Sequence, residues 1–283
     1  KGGVGRSTLC SEVARSLARR DERVLCVDAS WSCPALHTLL NADEQRFPFH
    51  DDAIVALGEE GSHIADFIEK TETDNIWLTS LAAGRQFPYF RPDLSAVGLI
   101  RQLHALDFDW VFIDLASGLD PFDVGLFALS DIPLMVTTPE PGAVRVATQF
   151  LRHALFQSVR YHPDAMDRRD DIRDILYRQG LDLSVDTLMA DATTETTAKL
   201  IEDSATRFEP YLAVNLVREG AEQDLGHVIC HAWHQAVSVF PRFLTSIDYE
   251  NRRWFYHRRT VGTSAVRSDE ALDGQPSVDA EAP

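Results

Sequence analysis

Lys1-Gly2-Gly3-Val4-Gly5-Arg6-Ser7-Thr8 opens the chain, and its reading decides the fold. Small residues come first, then a cation, then two hydroxyls. A helical pattern follows over roughly Ser7 to Arg20. Glycine lets the main chain approach an anion with no Cβ in the way. Successive amide N–H groups then converge on phosphate oxygens, and the helix adds its positive N-terminal end. Ser7 stands where a hydroxyl would hold Mg2+.

Outward from this loop the chain alternates. Arg23–Asp28, Trp110–Asp114, Ile132–Thr138, Tyr211–Asn215 and Phe243–Ile247 are apolar runs without polar alternation, read as strands buried on both faces. Asn75–Ser80 reads as a further strand and Ser62–Glu69 as a short capped helix. Leu94–Leu106, Ala143–Val159 and Ala221–Val239 carry helical periodicity. The predicted class is α/β, a three-layer P-loop NTPase fold with a mostly parallel sheet. A strand should feed the phosphate loop, and none precedes Lys1, so the N-terminal strand is expected to be missing from this fragment. Residues 1–259 are expected to form the nucleotide-binding domain. Within it, 160–208 reads as a charged helical insertion, either a packing element or a lid or partner surface. Residues 260–283, poor in large apolar side chains, are expected to be a disordered acidic tail.

The chain has 283 residues and a formal net charge of −17, which argues against broad, nonspecific nucleic-acid binding. Four cysteines form no CxxC pattern and read as reduced thiols of a cytoplasmic protein. No apolar stretch is long enough to span a membrane, and the tail has no amphipathic pattern that would serve as an intrinsic membrane helix. Asn251–Arg259 is basic and aromatic and reads as the last amphipathic helix.

The opening run resembles the deviant Walker A loop of the MinD/ParA family of ATPases, usually Gly-Lys-Gly-Gly-Val-Gly-Lys-Ser/Thr. Arg6 replaces the second lysine. Asp114 followed by Leu115-Ala116-Ser117-Gly118-Leu119-Asp120 resembles the family's carboxylate-ended strand and second switch loop. Asp28-Ala29-Ser30 with Pro34 and Leu36 is similar to its first switch, with Ser30 where the family has a second carboxylate. Thr137-Thr138-Pro139-Glu140-Pro141 and Val214-Asn215-Leu216-Val217-Arg218 match two further elements.

The resemblance implies ATP as ligand, cradled by Gly2, Gly3, Val4, Gly5, Arg6, Ser7 and Thr8, with Gly118 near the γ-phosphate and Asn215 and Arg218 at the base. It implies Mg2+ held by Ser7 and Asp114. Lys1, Arg6 and Asp28 are the residues it assigns to catalysis, Lys1 reaching across a nucleotide-dependent homodimer. The expected activity is that of a slow molecular switch acting on an unidentified protein partner, at a division site, a flagellum or a cargo. Arg6 is longer and planar where the family has a point charge, and Ser30 cannot act as a carboxylate. Both leave open an alternative, a degenerate scaffold or regulator that binds nucleotide without hydrolysing it.

Overall fold

The computed structural model describes residues 2–30, 34–42, 63–81, 95–179, 183–218 and 224–249. The expectations for Lys1, for the run 251–259 and for the tail 260–283 fall outside these residues.

Helix α1 (Arg6–Ala18) follows the phosphate loop and leads into β1 (Val24–Ala29). Every residue of β1 is buried. Its alternation sorts two faces: Val24 and Cys26 join Ala14 and Ala18 of α1 in one apolar cluster, whereas Leu25, Val27 and Ala29 join another on the opposite side. The short helix α2 (Leu36–Leu39) covers the first face, tied to α1 by the Arg15 guanidinium donating to the Leu39 carbonyl. Helices α3 (Ala96–His104) and α4 (Pro121–Leu129) supply the second face through Ala96, Leu99, Leu103, Phe122 and Leu126.

β1 pairs in parallel with β3 (Ile76–Ser80) on one side and with β4 (Trp110–Leu115) on the other; the two-residue β2 (Glu69–Lys70) adds antiparallel to β3. A second, fully parallel ladder runs β5 (Leu134–Thr137), β6 (Tyr211–Val217), β7 (Arg242–Asp248). Among the described residues β4 pairs only with β1, and β5 only with β6. The sheet is mostly parallel, as the sequence predicts, and its hydrogen bonding divides the strands into four and three.

Two expectations need correction. Full burial on both faces holds for β1 alone. Among the described residues β7 lies at the edge of its ladder, and Leu244 on it is 57% exposed. The segment predicted as a helix over 62–69 is a single 3-10 turn, Ile64–Phe67, followed by β2. His63, at its N-terminal boundary, provides no side-chain cap to hold a longer helix.

Helix α5 (Pro141–Arg160) begins on Pro141, which suits a first-turn position. It buries a stripe of Ala143, Ala147, Leu151, Ala154 and Leu155. Within 160–208 the described residues form a 3-10 turn over Pro163–Arg168, then α6 (Arg169–Gln179), α7 (Val185–Ala190) and α8 (Glu195–Arg207). Ser184 and Thr187 form a reciprocal capping box on α7, and Thr194 caps α8 through the Thr197 N–H. Ile172, Ile175, Leu188, Leu200 and Ile201 are buried in one cluster with α5, β5 and β6. Helix α9 (Leu225–Val237) closes that cluster with Trp233, whose indole N–H donates to Thr148 Oγ1 of α5 across 2.8 Å.

Candidate functional site

The phosphate loop is shaped by its glycines. Gly3 and Gly5 have φ of +80° and +89°, the left-handed region in which a Cβ is strained. Gly5 is also the residue that caps α1, and its carbonyl accepts the Leu9 N–H at 2.9 Å. A Cβ on Gly5 would collide with the carboxamide of Asn215, whereas one on Gly2 or Gly3 would meet open space. Val4 is buried and anchors the loop in the core. The first turn of α1 has neither a side-chain cap nor an acidic residue. Its N–H groups and positive helix end therefore face the open side of the loop, the arrangement that suits an anion.

Asp28 and Asp114 are register partners on the adjacent parallel strands β1 and β4, so both carboxylates leave the sheet on the same face at the same level. Both are buried. The Ser7 hydroxyl donates to the Asp114 carboxylate. Burial pushes the Asp114 carboxyl above its ordinary range, and the Ser7 bond and the Arg6 charge partly hold it down. Ser7 and Asp114 thus sit together as hard oxygen donors, a set that suits Mg2+ completed by phosphate and water oxygens. Among the described residues no cluster of three or more His, Cys, Asp or Glu side chains stands ready for any other metal.

Asp28 has a structural task in addition to its predicted one. Its Oδ1 accepts the Ser30 N–H at 3.0 Å, and its Oδ2 accepts those of Ala35 and Leu36 at 2.8 and 3.0 Å. It therefore pins the turn from β1 into α2. Burial pushes its carboxyl up to about 6; the three N–H donors pull it down, and the Asp114 charge adds to the rise.

Two long-range bonds hold the phosphate loop from either side. Arg6 Nη1 donates to the Ala116 carbonyl at 2.9 Å, joining α1 to the loop after β4. Asn215 Nδ2 donates to the Val4 carbonyl at 2.9 Å, joining the loop to the end of β6. Beyond Ala116, Gly118 has φ +151° and open space around it, and Asp120 caps α4 by accepting the Phe122 N–H. At the end of β6 the strand register shifts between Asn215 and Val217, and Leu216 takes a φ of +61°. Thr8 lies half-buried in the first turn of α1, and Arg218 is exposed just past β6. The structure thus brings Val4, Gly5, Arg6, Ser7, Asp28, Asp114 and Asn215 to one end of the strands. Sequence reasoning missed the Ala116 carbonyl as a partner of Arg6 and the anchoring bond of Asn215, since neither has a local signal.

No protein-family model matches the chain. An uncharacterised ATP-binding protein of Methanocaldococcus jannaschii is 33% identical over 141 residues, 50% of this chain and 51% of that protein. The septum site-determining protein MinD of Synechocystis is 29% identical over 151 residues, 53% of this chain and 55% of that protein. The chain spans about half the length of these curated relatives. The septum site-determining protein MinD of Pyrococcus horikoshii, solved in complex with Mg-ADP, superposes with a TM-score of 0.53 at 15% identity, over 92% of this chain and 82% of that one. Identity that low speaks to the fold alone. The chain is thus similar in sequence, over about half its length, to an ATP-binding protein and to MinD, and it shares the fold of a solved MinD protein.

Proposed function

We propose that the chain is a nucleotide-dependent switch that binds ATP with Mg2+, forms a homodimer in that state and hydrolyses the nucleotide slowly. The observation that carries this reading is the Ser7–Asp114 hydrogen bond beneath an open glycine loop. It joins a hydroxyl at the start of α1 to a carboxylate at the end of β4, where a phosphate-bound cation needs both.

In this reading the main-chain N–H groups from Gly2 to Thr8 bind the phosphates, and Arg6 neutralises their charge. Bound Mg2+ would supply charge neutralisation at the β- and γ-phosphates. Asp28 holds the first switch turn in register with Asp114, and Gly118 offers its main-chain N–H toward the terminal phosphate. Asn215 and Arg218 are assigned to the base. Lys1 is assigned to the partner subunit's phosphates. The dimer then presents a surface to a protein partner, and DNA is not the expected target of a chain with a net charge of −17. Among the described residues no helix is long and apolar enough to cross a membrane.

Sedimentation velocity with and without a non-hydrolysable ATP analogue tests the switch. A nucleotide-dependent doubling of mass is expected, and a monomer under both conditions contradicts it.

A second reading, a scaffold that binds nucleotide without turnover, is favoured by Arg6, one of whose donors is committed to the Ala116 carbonyl, and by Ser30 in place of a carboxylate. Losing one transition-state contact costs about 100-fold or more in rate. Steady-state phosphate release separates the two readings: no turnover above background supports the scaffold, and Arg6→Lys with Ser30→Asp should then restore it.

A further inference from the structure

The Arg6–Ala116 bond links the residue that would touch phosphate to the loop that must respond to it. Arg6 lies in the first turn of α1, and Ala116 lies 110 residues away, immediately after β4. A guanidinium presents five N–H donors in a fixed plane, so it can hold the Ala116 carbonyl with one edge and an anion with another. A lysine ammonium is a point donor on a flexible stem and has no such fixed second edge. The Ala116 carbonyl belongs to the same peptide group as the Ser117 N–H. Fixing the guanidinium plane therefore fixes that peptide and, through it, the segment to Gly118, which has open space around it. The segment ends at Asp120, which caps α4, and α4 lies in the apolar layer with α3.

We infer that Arg6 is a positioning residue that couples phosphate occupancy to the order of the loop 116–120. This inference rests on the reading that the glycine loop binds nucleotide. In this chain the arginine then takes on the coupling in addition to charge neutralisation. Phosphate on the loop immobilises the guanidinium, and the guanidinium immobilises the peptide after Ala116.

The test is hydrogen exchange on the full chain, followed by mass spectrometry of peptides covering 115–121, with and without Mg-ATPγS. A fluorescent-nucleotide titration of the same samples runs in parallel. A charge-assisted hydrogen bond that tightens on binding should slow exchange of the 117–120 amides by about tenfold in the unaltered protein. With each protein saturated with nucleotide, as the titration reports, the slowing in Arg6→Lys should fall below about twofold. Arg6→Ala should lose binding and slowing together.

The inference is overturned if Arg6→Lys binds nucleotide and slows exchange as much as the unaltered protein. It is equally overturned if the variant raises exchange by the same factor with and without nucleotide, since that is a purely structural role. If the unaltered protein binds no nucleotide, the underlying reading falls instead, and the titration reports that outcome separately. Circular-dichroism melts of both variants exclude unfolding as the source of any loss.

Discussion

Asn215 donates its carboxamide N–H to the Val4 carbonyl across 2.9 Å, so the end of β6 holds the phosphate loop at a separation of 211 residues. The same carboxamide fills the space where Gly5 would carry a Cβ. Gly5→Ala should therefore meet a collision and a left-handed backbone cost of about 1–2 kcal/mol at once. Nucleotide affinity is expected to fall at least about tenfold. Asn215→Ala relieves the collision and leaves the backbone cost, so the double variant should bind better than the sum of the single losses predicts. Strict additivity in a fluorescent-nucleotide titration would contradict this account of the loop.

Ser7→Ala and Asp114→Asn test the oxygen pair. Each should abolish the tightening of nucleotide binding by Mg2+ and leave most of the metal-free affinity, because the main-chain N–H groups are untouched. The Asp114 carboxyl is held above its ordinary range by burial, so it keeps its proton to higher pH than a surface aspartate. Protons compete with the cation there, so the Mg2+-dependent tightening should fade on acidification at a higher pH than a surface aspartate would give. Equal Mg2+ dependence in all three proteins would remove this pair from the metal site.

Asp28 predicts a pH dependence of opposite sign to ordinary acid denaturation. Its carboxyl titrates at about 6 when folded and at about 3.9 in an unfolded chain. Between those values the folded state binds more protons, so this group's contribution to stability falls as pH rises. Asp28→Asn removes the titration. It also leaves one of the three N–H groups facing an amide donor, at a cost of about 1–3 kcal/mol. Urea melts should find the unaltered protein more stable than Asp28→Asn at pH 4, with the gap narrowing toward pH 7. A gap that widens over that interval contradicts the buried, raised carboxyl.

Asp171 joins two helices of the 160–208 segment: it accepts from Thr193 Oγ1 and Thr197 Oγ1, both at 2.6 Å. With Leu200 and Ile201 buried in the cluster that holds α5 and β6, the segment packs as part of the core. Asp171→Ala should destabilise the chain by about 1–3 kcal/mol, and Leu200→Ala by about 2–5 kcal/mol. Nucleotide affinity should not change in either. A variant that keeps its stability and alters affinity would make the segment a lid.

The fold was legible where the physics is local. Gly3 and Gly5 announce left-handed turns, and uninterrupted apolar runs announce β1 and β4. Pro141 starts α5 where proline is tolerated best. What escaped has no local mark. Helix α4 is apolar nearly all round, so no periodicity separates it from a loop or strand. β2 has two residues and α2 four, too short to carry a pattern. β7 reads like β1 in composition, and only its place at the edge of the sheet exposes Leu244. In the site, residue types pointed to Ser7, Asp28 and Asp114, which the fold places at one end of the strands. The partners of Arg6 and Asn215 are main-chain carbonyls, which any residue supplies, so no side-chain identity could have named them.

The whole account depends on the glycine loop closing around the phosphates of a purine nucleotide. Isothermal titration calorimetry of the full chain with ATP and with ADP, each in the presence of Mg2+, tests that claim most directly. The account predicts a saturable heat with one site per subunit for both nucleotides, weakened in Gly5→Ala. No heat with either nucleotide would contradict it.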